Sequence, residues 1–112
     1  MTIEILDITD QEFEARVVCS NKPVLVDFWA PWCAPCRSML EALDTVVDDY
    51  PDSIRICKLN VDDNKGIATA YKVRSLPSLM VFSKGTLITT KIGSLPVGDI
   101  KKLLDSLVEL TQ

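Results

Sequence analysis

Cys33 and Cys36 are separated by two residues in Trp32-Cys33-Ala34-Pro35-Cys36, one residue after the run Val24-Leu25-Val26-Asp27-Phe28-Trp29-Ala30. Where a buried strand gives way to a helix, this spacing puts both sulfurs on one helical face within bonding reach, so the pair can close into a disulfide and open again. Cys33 is expected at the helix N-terminus, where unpaired backbone N–H groups and the helix dipole stabilise an anion. A thiol held there has a lowered pKa, and the thiolate is the attacking species in disulfide exchange. Cys36, one turn deeper, is placed to resolve a mixed disulfide by attacking Cys33. A structural disulfide and half of a zinc site are the alternative readings. Zinc normally calls for a second CxxC or nearby histidines, whereas this chain has no histidine and its other cysteines, Cys19 and Cys57, stand singly and far off in sequence. The missing histidine also removes Cys–His nucleophilic catalysis.

Asp27 breaks the apolar run that leads to the cysteines. An ionised carboxylate is costly to bury, so a raised pKa is expected. Its place on the strand feeding the cysteine helix suggests a proton acceptor for Cys36, acting through water during resolution. The competing readings are an exposed strand edge, or pairing with a cation such as Lys58 on the neighbouring predicted strand. Trp29 reads as core, and Trp32, beside the reactive cysteine, as a partly exposed contact surface. Leu76-Pro77 precedes a strand; proline there is often punctuation, and nothing in the sequence makes the bond cis.

The elements that must hold these groups follow from pattern. Ile3 to Leu6 reads as a first strand. Thr9 or Asp10 caps a helix through about Val18, with Phe13, Val17 and Val18 inward. Val24 to Ala30 is apolar on both faces and reads as a central strand. A helix beginning near Cys33 or Ala34 takes Pro35 in its first turn, where a missing N–H costs nothing. Met39, Leu40, Leu43, Val46, Val47 and Tyr50 keep helical spacing to its end. Ile54 to Val61 reads as a second central strand and Asn64 to Tyr71 as a short helix. Leu79 to Ser83 and Thr86 to Ile92 form a hairpin closed at Lys84-Gly85. Pro96 to Leu110 is a final amphipathic helix with Ile100, Leu103, Leu104, Leu107 and Val108 on its core stripe. The order βαβαβαββα implies an α/β sandwich on a mixed sheet, with parallel crossovers first and an antiparallel edge last.

The 112 residues are expected to form one domain, 1–112, long enough for its own core. Hydrophobic residues make up 47% and charged residues 25%, a globular profile. With 12 Lys and Arg against 16 Asp and Glu the net charge is −4, and no basic stripe is present, which argues against nucleic-acid binding. No apolar stretch approaches the ~20 residues of a membrane span. The first residues lack the basic and apolar segments of a secretory signal, so a cytoplasmic setting is expected. There, CxxC is more often catalytic or metal-binding than structural.

Together these residues strongly resemble the thioredoxin family, in order along essentially the whole chain: Val26-Asp27-Phe28-Trp29-Ala30, Trp32-Cys33-Ala34-Pro35-Cys36, Lys58-Leu59-Asn60-Val61-Asp62, Leu76-Pro77-Ser78, Lys84-Gly85 and Gly93. The resemblance implies the thioredoxin fold, a three-layer sandwich with a central mixed five-stranded sheet flanked by four helices. It implies Cys33 as exposed nucleophile, Cys36 as resolving thiol, Asp27 as buried acid–base group with Lys58 near it, and a cis Leu76–Pro77 bond packed against the disulfide. A groove of Trp32, Ala34, Pro35, Val61, Leu76, Pro77, Ile92 and Gly93 would then dock extended substrate backbone, much as an added strand is read. The implied partners are disulfide-containing proteins and an NADPH-dependent flavoprotein, thioredoxin reductase. The chain itself is expected to be a monomer and to bind no cofactor.

Three departures stand out. Ala34 replaces a usual glycine in the spacer, and spacer residues tune redox potential. Glu41 replaces the usual mid-helix proline, removing an expected kink. Ser75 stands where glycine is common, which would narrow the groove. Cys19 and Cys57 are expected to be small buried hydrophobes, with a regulatory thiol at Cys19 the lesser reading. Of two rival functions, a binding or chaperone module has no use for Cys33, Cys36 and Asp27 together. A periplasmic-type oxidase or isomerase often carries histidine where Pro35 stands.

Overall fold

The computed structural model describes residues 4–112. Ile3, the expected start of the first strand, lies outside them. The elements are β1 (Ile5–Asp7), α1 (Asp10–Phe13), β2 (Val24–Trp29), α2 (Ala34–Val46), β3 (Arg55–Asn60), α3 (Lys65–Ala70), β4 (Ser78–Ser83), β5 (Thr86–Ile92) and α4 (Val97–Glu109). They form one five-stranded sheet in the order β1-β3-β2-β4-β5. β3 pairs parallel with both β1 and β2, whereas β4 pairs antiparallel with β2 and β5. This is the expected mixed sheet, with β2 at its centre and the hairpin at one edge.

Two-residue periodicity sorts each strand onto two faces. Leu25, Ile56, Leu79 and Val81 meet Met39, Leu43 and Val46 of α2 and Ile100, Leu103, Leu104 and Leu107 of α4. On the other face Val24, Val26, Phe28, Cys57, Leu59, Met80 and Phe82 meet Phe13 and Val17, with Ile67 and Tyr71 packed against them. There the Phe13 ring lies 5.5 Å from Tyr71 and 5.6 Å from Phe82, and the Phe13–Phe82 pair is edge-on, the arrangement that the aromatic quadrupole favours. A fully buried side chain such as Leu43, Ile100 or Leu104 contributes about 1.5–3 kcal/mol, so α2 and α4 are held firmly to their face of the sheet.

Several element ends differ from the sequence expectation, most of them by one residue. α1 passes into a π-helical turn over Glu14–Val18, closed by Cys19 N–H donating to Glu14 O at 2.8 Å. The widened turn leaves Cys19 exposed, so the expectation that both spare cysteines are buried holds for Cys57 and fails for Cys19. α2 gives way to a 3-10 turn at Val47–Asp49, and Tyr50 is extended (φ −118°, ψ 147°) instead of helical. Pro51 explains this, because its ring disfavours helical backbone in the residue before it. β4 begins one residue early, at Ser78, which pairs with Ile92 of β5.

Candidate active site

β2 carries the chain to Trp29, and a turn closed by Cys33 N–H donating to Ala30 O at 3.1 Å delivers Cys33 to the N-cap of α2. Pro35 lies in the first turn of that helix, as expected. Cys33 and Cys36 form a disulfide, their Cα atoms 5.2 Å apart. Cys33 Sγ accepts a hydrogen bond from Cys36 N–H at 3.2 Å, so an otherwise unpaired N–H of the helix end points at this sulfur. Cys36 is fully buried, and Cys33, expected to be exposed, is buried as well in the disulfide form, with only 6% of its surface open. Ala30 completes a small cluster with the two cysteines, and Trp29, Val61 and Leu76 pack against it.

Asp27 is fully buried and shares its sheet face with Leu25. This excludes the exposed-edge reading. Among the described residues neither carboxylate oxygen has a hydrogen-bond partner. Burial pushes its pKa from the ordinary 3.8 up to about 8, and the positive charge of Lys58 limits the rise. Lys58 is the register partner of Asp27 on β3. Its ammonium, however, lies 5.3 Å from the centroid of the Trp29 ring, in the range of a cation–π contact. Trp29 is partly buried, with its indole nitrogen enclosed and unpartnered among the described residues.

The Leu76–Pro77 bond is cis. Pro77 O accepts from Gly93 N–H at 2.8 Å, which ties the segment before β4 to the end of β5. Gly93 has φ +91°, a conformation that penalises any side chain even though a Cβ would meet nothing there. Trp32 is 69% exposed and Ile92 67%, large apolar surfaces left open on this side of the molecule. Ala34 and Pro35 are exposed beside the disulfide, and Val61 and Leu76 are half-buried against it. Glu41 is exposed, and α2 runs unbroken from Ala34 to Val46. Ser75 is exposed, its carbonyl accepting from Ser78 Oγ.

Sequence reasoning missed three contacts around the cysteines. Trp32 Nε1 donates to Asp62 Oδ1 at 3.2 Å, an Arg37 guanidinium N–H donates to Pro31 O at 2.6 Å, and Ser94 Oγ donates to Pro35 O at 3.3 Å. Asp62 and Ser94 are common polar residues in loops and Arg37 is an ordinary surface residue of α2, so only the folded geometry singles them out. The open clefts of about 510 Å³, between β5 and α4, and about 470 Å³, near the C-terminus, include neither cysteine.

A mixed sheet that delivers a two-cysteine disulfide to a helix N-terminus defines a thiol–disulfide oxidoreductase. A family model for thioredoxin matches residues 4–106. The thioredoxin of Pyropia yezoensis is 41% identical over 106 residues, covering 95% of this chain and 99% of that protein. The thioredoxins of Acidithiobacillus ferridurans and Pseudomonas aeruginosa are 42% and 41% identical, each match covering 95% of this chain and 98% of theirs. The chain belongs to the thioredoxin family.

Proposed function

We propose that this protein is a general electron donor for cell redox homeostasis, reducing disulfides of other proteins with Cys33 as nucleophile and Cys36 as resolving thiol. The observation that carries the assignment of roles is the Cys33 sulfur at the N-cap of α2, accepting Cys36 N–H. In the dithiol form that N–H and the helix dipole stabilise a Cys33 thiolate. The thiolate attacks one sulfur of a substrate disulfide, the other leaves as a thiolate that takes up a proton, and a mixed disulfide remains. Cys36 then loses its proton and attacks Cys33 Sγ. The mixed disulfide breaks, the substrate leaves as a dithiol, and the two electrons it has gained are matched by the new Cys33–Cys36 disulfide.

Asp27 is the acceptor for the Cys36 proton, through water. A carboxyl pKa near 8 suits it to take and return a proton close to neutral pH. Lys58 holds that pKa from rising further. Trp32, Ala34, Pro35, Val61, Leu76, Pro77, Ile92 and Gly93 form the groove that binds extended substrate backbone. An NADPH-dependent flavoprotein, thioredoxin reductase, restores the dithiol, and the domain over 1–112 acts as a cytoplasmic monomer. No helix among the described residues is long and apolar enough to cross a membrane.

The test is dithiothreitol-driven reduction of insulin by the protein and by its Cys33→Ser variant. Accelerated insulin precipitation with the parent and none with the variant supports exchange through Cys33. A parent as inert as the variant rejects the general-donor reading.

A further inference from the structure

The peptide unit between Pro35 and Cys36 is engaged at both ends. Its N–H, on Cys36, donates to Cys33 Sγ at 3.2 Å. Its carbonyl, on Pro35, accepts from Ser94 Oγ at 3.3 Å. An α-helical carbonyl is also the acceptor for the N–H four residues on, but its second lone pair remains free, and this is where a side-chain hydroxyl fits. Ser94 stands between β5 and α4, next to Gly93, whose own N–H is fixed on Pro77 O. The hydroxyl is thus brought to α2 by the same segment that borders the groove.

We propose that Ser94 is a positioning residue for Cys33, acting through the Pro35–Cys36 peptide group. A hydrogen bond to an amide oxygen polarises the amide and makes its N–H a better donor, so bonds in series strengthen one another. Here the series runs Ser94 O–H, Pro35 C=O, Cys36 N–H, Cys33 Sγ. The sulfur at its end becomes the thiolate when the disulfide takes up two electrons and the S–S bond opens, with Cys36 gaining a proton. The relay favours the form that carries negative charge on Cys33. It therefore stabilises the reduced protein relative to the disulfide and makes the pair a slightly stronger oxidant than it would be without the hydroxyl. At 3.3 Å the first bond is long, and the effect is correspondingly small.

This inference rests on the assignment of Cys33 as nucleophile. The experiment equilibrates the full-length parent, Ser94→Ala and Ser94→Thr with glutathione buffers of varied thiol-to-disulfide ratio. It also measures alkylation of reduced Cys33 by iodoacetamide at neutral pH, located by mass spectrometry of the peptides. Ser94→Ala is expected to shift the equilibrium about twofold to threefold toward the disulfide, at most about 14 mV by the 29.6 mV per tenfold of a two-electron couple. Alkylation of Cys33 should slow by a similar factor, and Ser94→Thr, which keeps the hydroxyl, should restore both. An unchanged equilibrium in Ser94→Ala, or a shift that threonine does not restore, overturns the relay. Loss of insulin reduction in the parent itself would instead reject the underlying assignment, so the two failures are distinguishable. Ser94 is exposed, so the alanine variant keeps the parent's fold, and matching thermal unfolding curves verify it.

Discussion

Asp27 and Lys58 are register partners on adjacent parallel strands, yet no hydrogen bond joins them. The ammonium instead faces the Trp29 ring, and the carboxyl stays buried without a partner among the described residues. A direct ion pair would hold Asp27 ionised at every physiological pH. Acting only through space, Lys58 offsets part of the burial and leaves the carboxyl pKa at about 8. The offset arrangement thus keeps a proton exchangeable near neutrality, at a cost in stability.

That cost has a definite sign. Folding raises the Asp27 pKa from 3.8 to about 8, so between those values the folded protein holds a proton the unfolded chain has released. Stability from this group is full below about pH 4 and falls as pH rises toward 8. At about 1.4 kcal/mol per unit, keeping Asp27 protonated in the fold costs on the order of 4 kcal/mol near pH 7. Asp27→Asn, similar in shape and unable to ionise, should match the parent near pH 4 and exceed it by that order near pH 8. Urea unfolding at both pH values reads the difference. A gap that does not grow with pH means that Asp27 is not the buried titrating group described.

Lys58→Met removes the charge that lowers the Asp27 pKa and keeps much of the side-chain stem. The carboxyl should then titrate above 8, visible as a shifted NMR titration of the Asp27 side chain. Less of it is ionised at pH 7, so resolution of the mixed disulfide should slow severalfold there and recover as pH rises. A rate loss that is the same at every pH would point to a positional role for Lys58 instead.

The sheet, its strand directions and the two cysteines were readable from sequence because each breaks or sustains a pattern. Val24–Trp29 is apolar on both faces, so it had to be covered on both, and Asp27 was conspicuous only because that run left no polar face to hold it. Pro35 marked the helix start. The end of the same helix was misread because Tyr50 keeps the apolar spacing while Pro51 denies it helical backbone. Cys19 was misplaced because a free cysteine is usually buried, whereas here it follows the π-helical turn at Glu14–Val18 and is exposed. The bonds of Trp32 to Asp62 and Ser94 to Pro35 join polar residues whose types are ordinary and whose separations carry no period, so no local pattern announces them.

A further long-range bond of this kind caps α3. Its N-cap residue, Asn64, makes no capping bond. The Asp10 carboxylate does so from α1, accepting Gly66 N–H at 2.9 Å and Ile67 N–H at 3.1 Å. Asp10→Ala should cost about 1–2 kcal/mol, the worth of a charged cap at a helix start. Gly66→Ala should also destabilise, because a Cβ there would stand 2.9 Å from Asp10 Oδ2 and push the cap away. In the Asp10→Ala background the same change should become neutral or stabilising, since alanine is the better helix former by about 1 kcal/mol. Chemical denaturation of the four proteins of this cycle tests it, and additive losses would refute the steric coupling.

The two cysteines outside the disulfide should differ in reactivity for the reasons that separate their surroundings. Cys57 is fully buried on β3, and burial first of all, only partly offset by the charges of Arg55 and Arg16, pushes its thiol up to about 11. Almost none of it is thiolate at neutral pH, and what forms is out of reach of reagent. Cys19 is exposed at the end of the π-helical turn. The oxidised protein treated with iodoacetamide near pH 8 should therefore take up one label per chain, at Cys19, while Cys57 is labelled only after unfolding. Peptide mass spectrometry with and without guanidinium chloride measures this. Native labelling of Cys57 at a rate comparable to Cys19 would mean that β3 opens readily, contrary to a core strand paired on both edges.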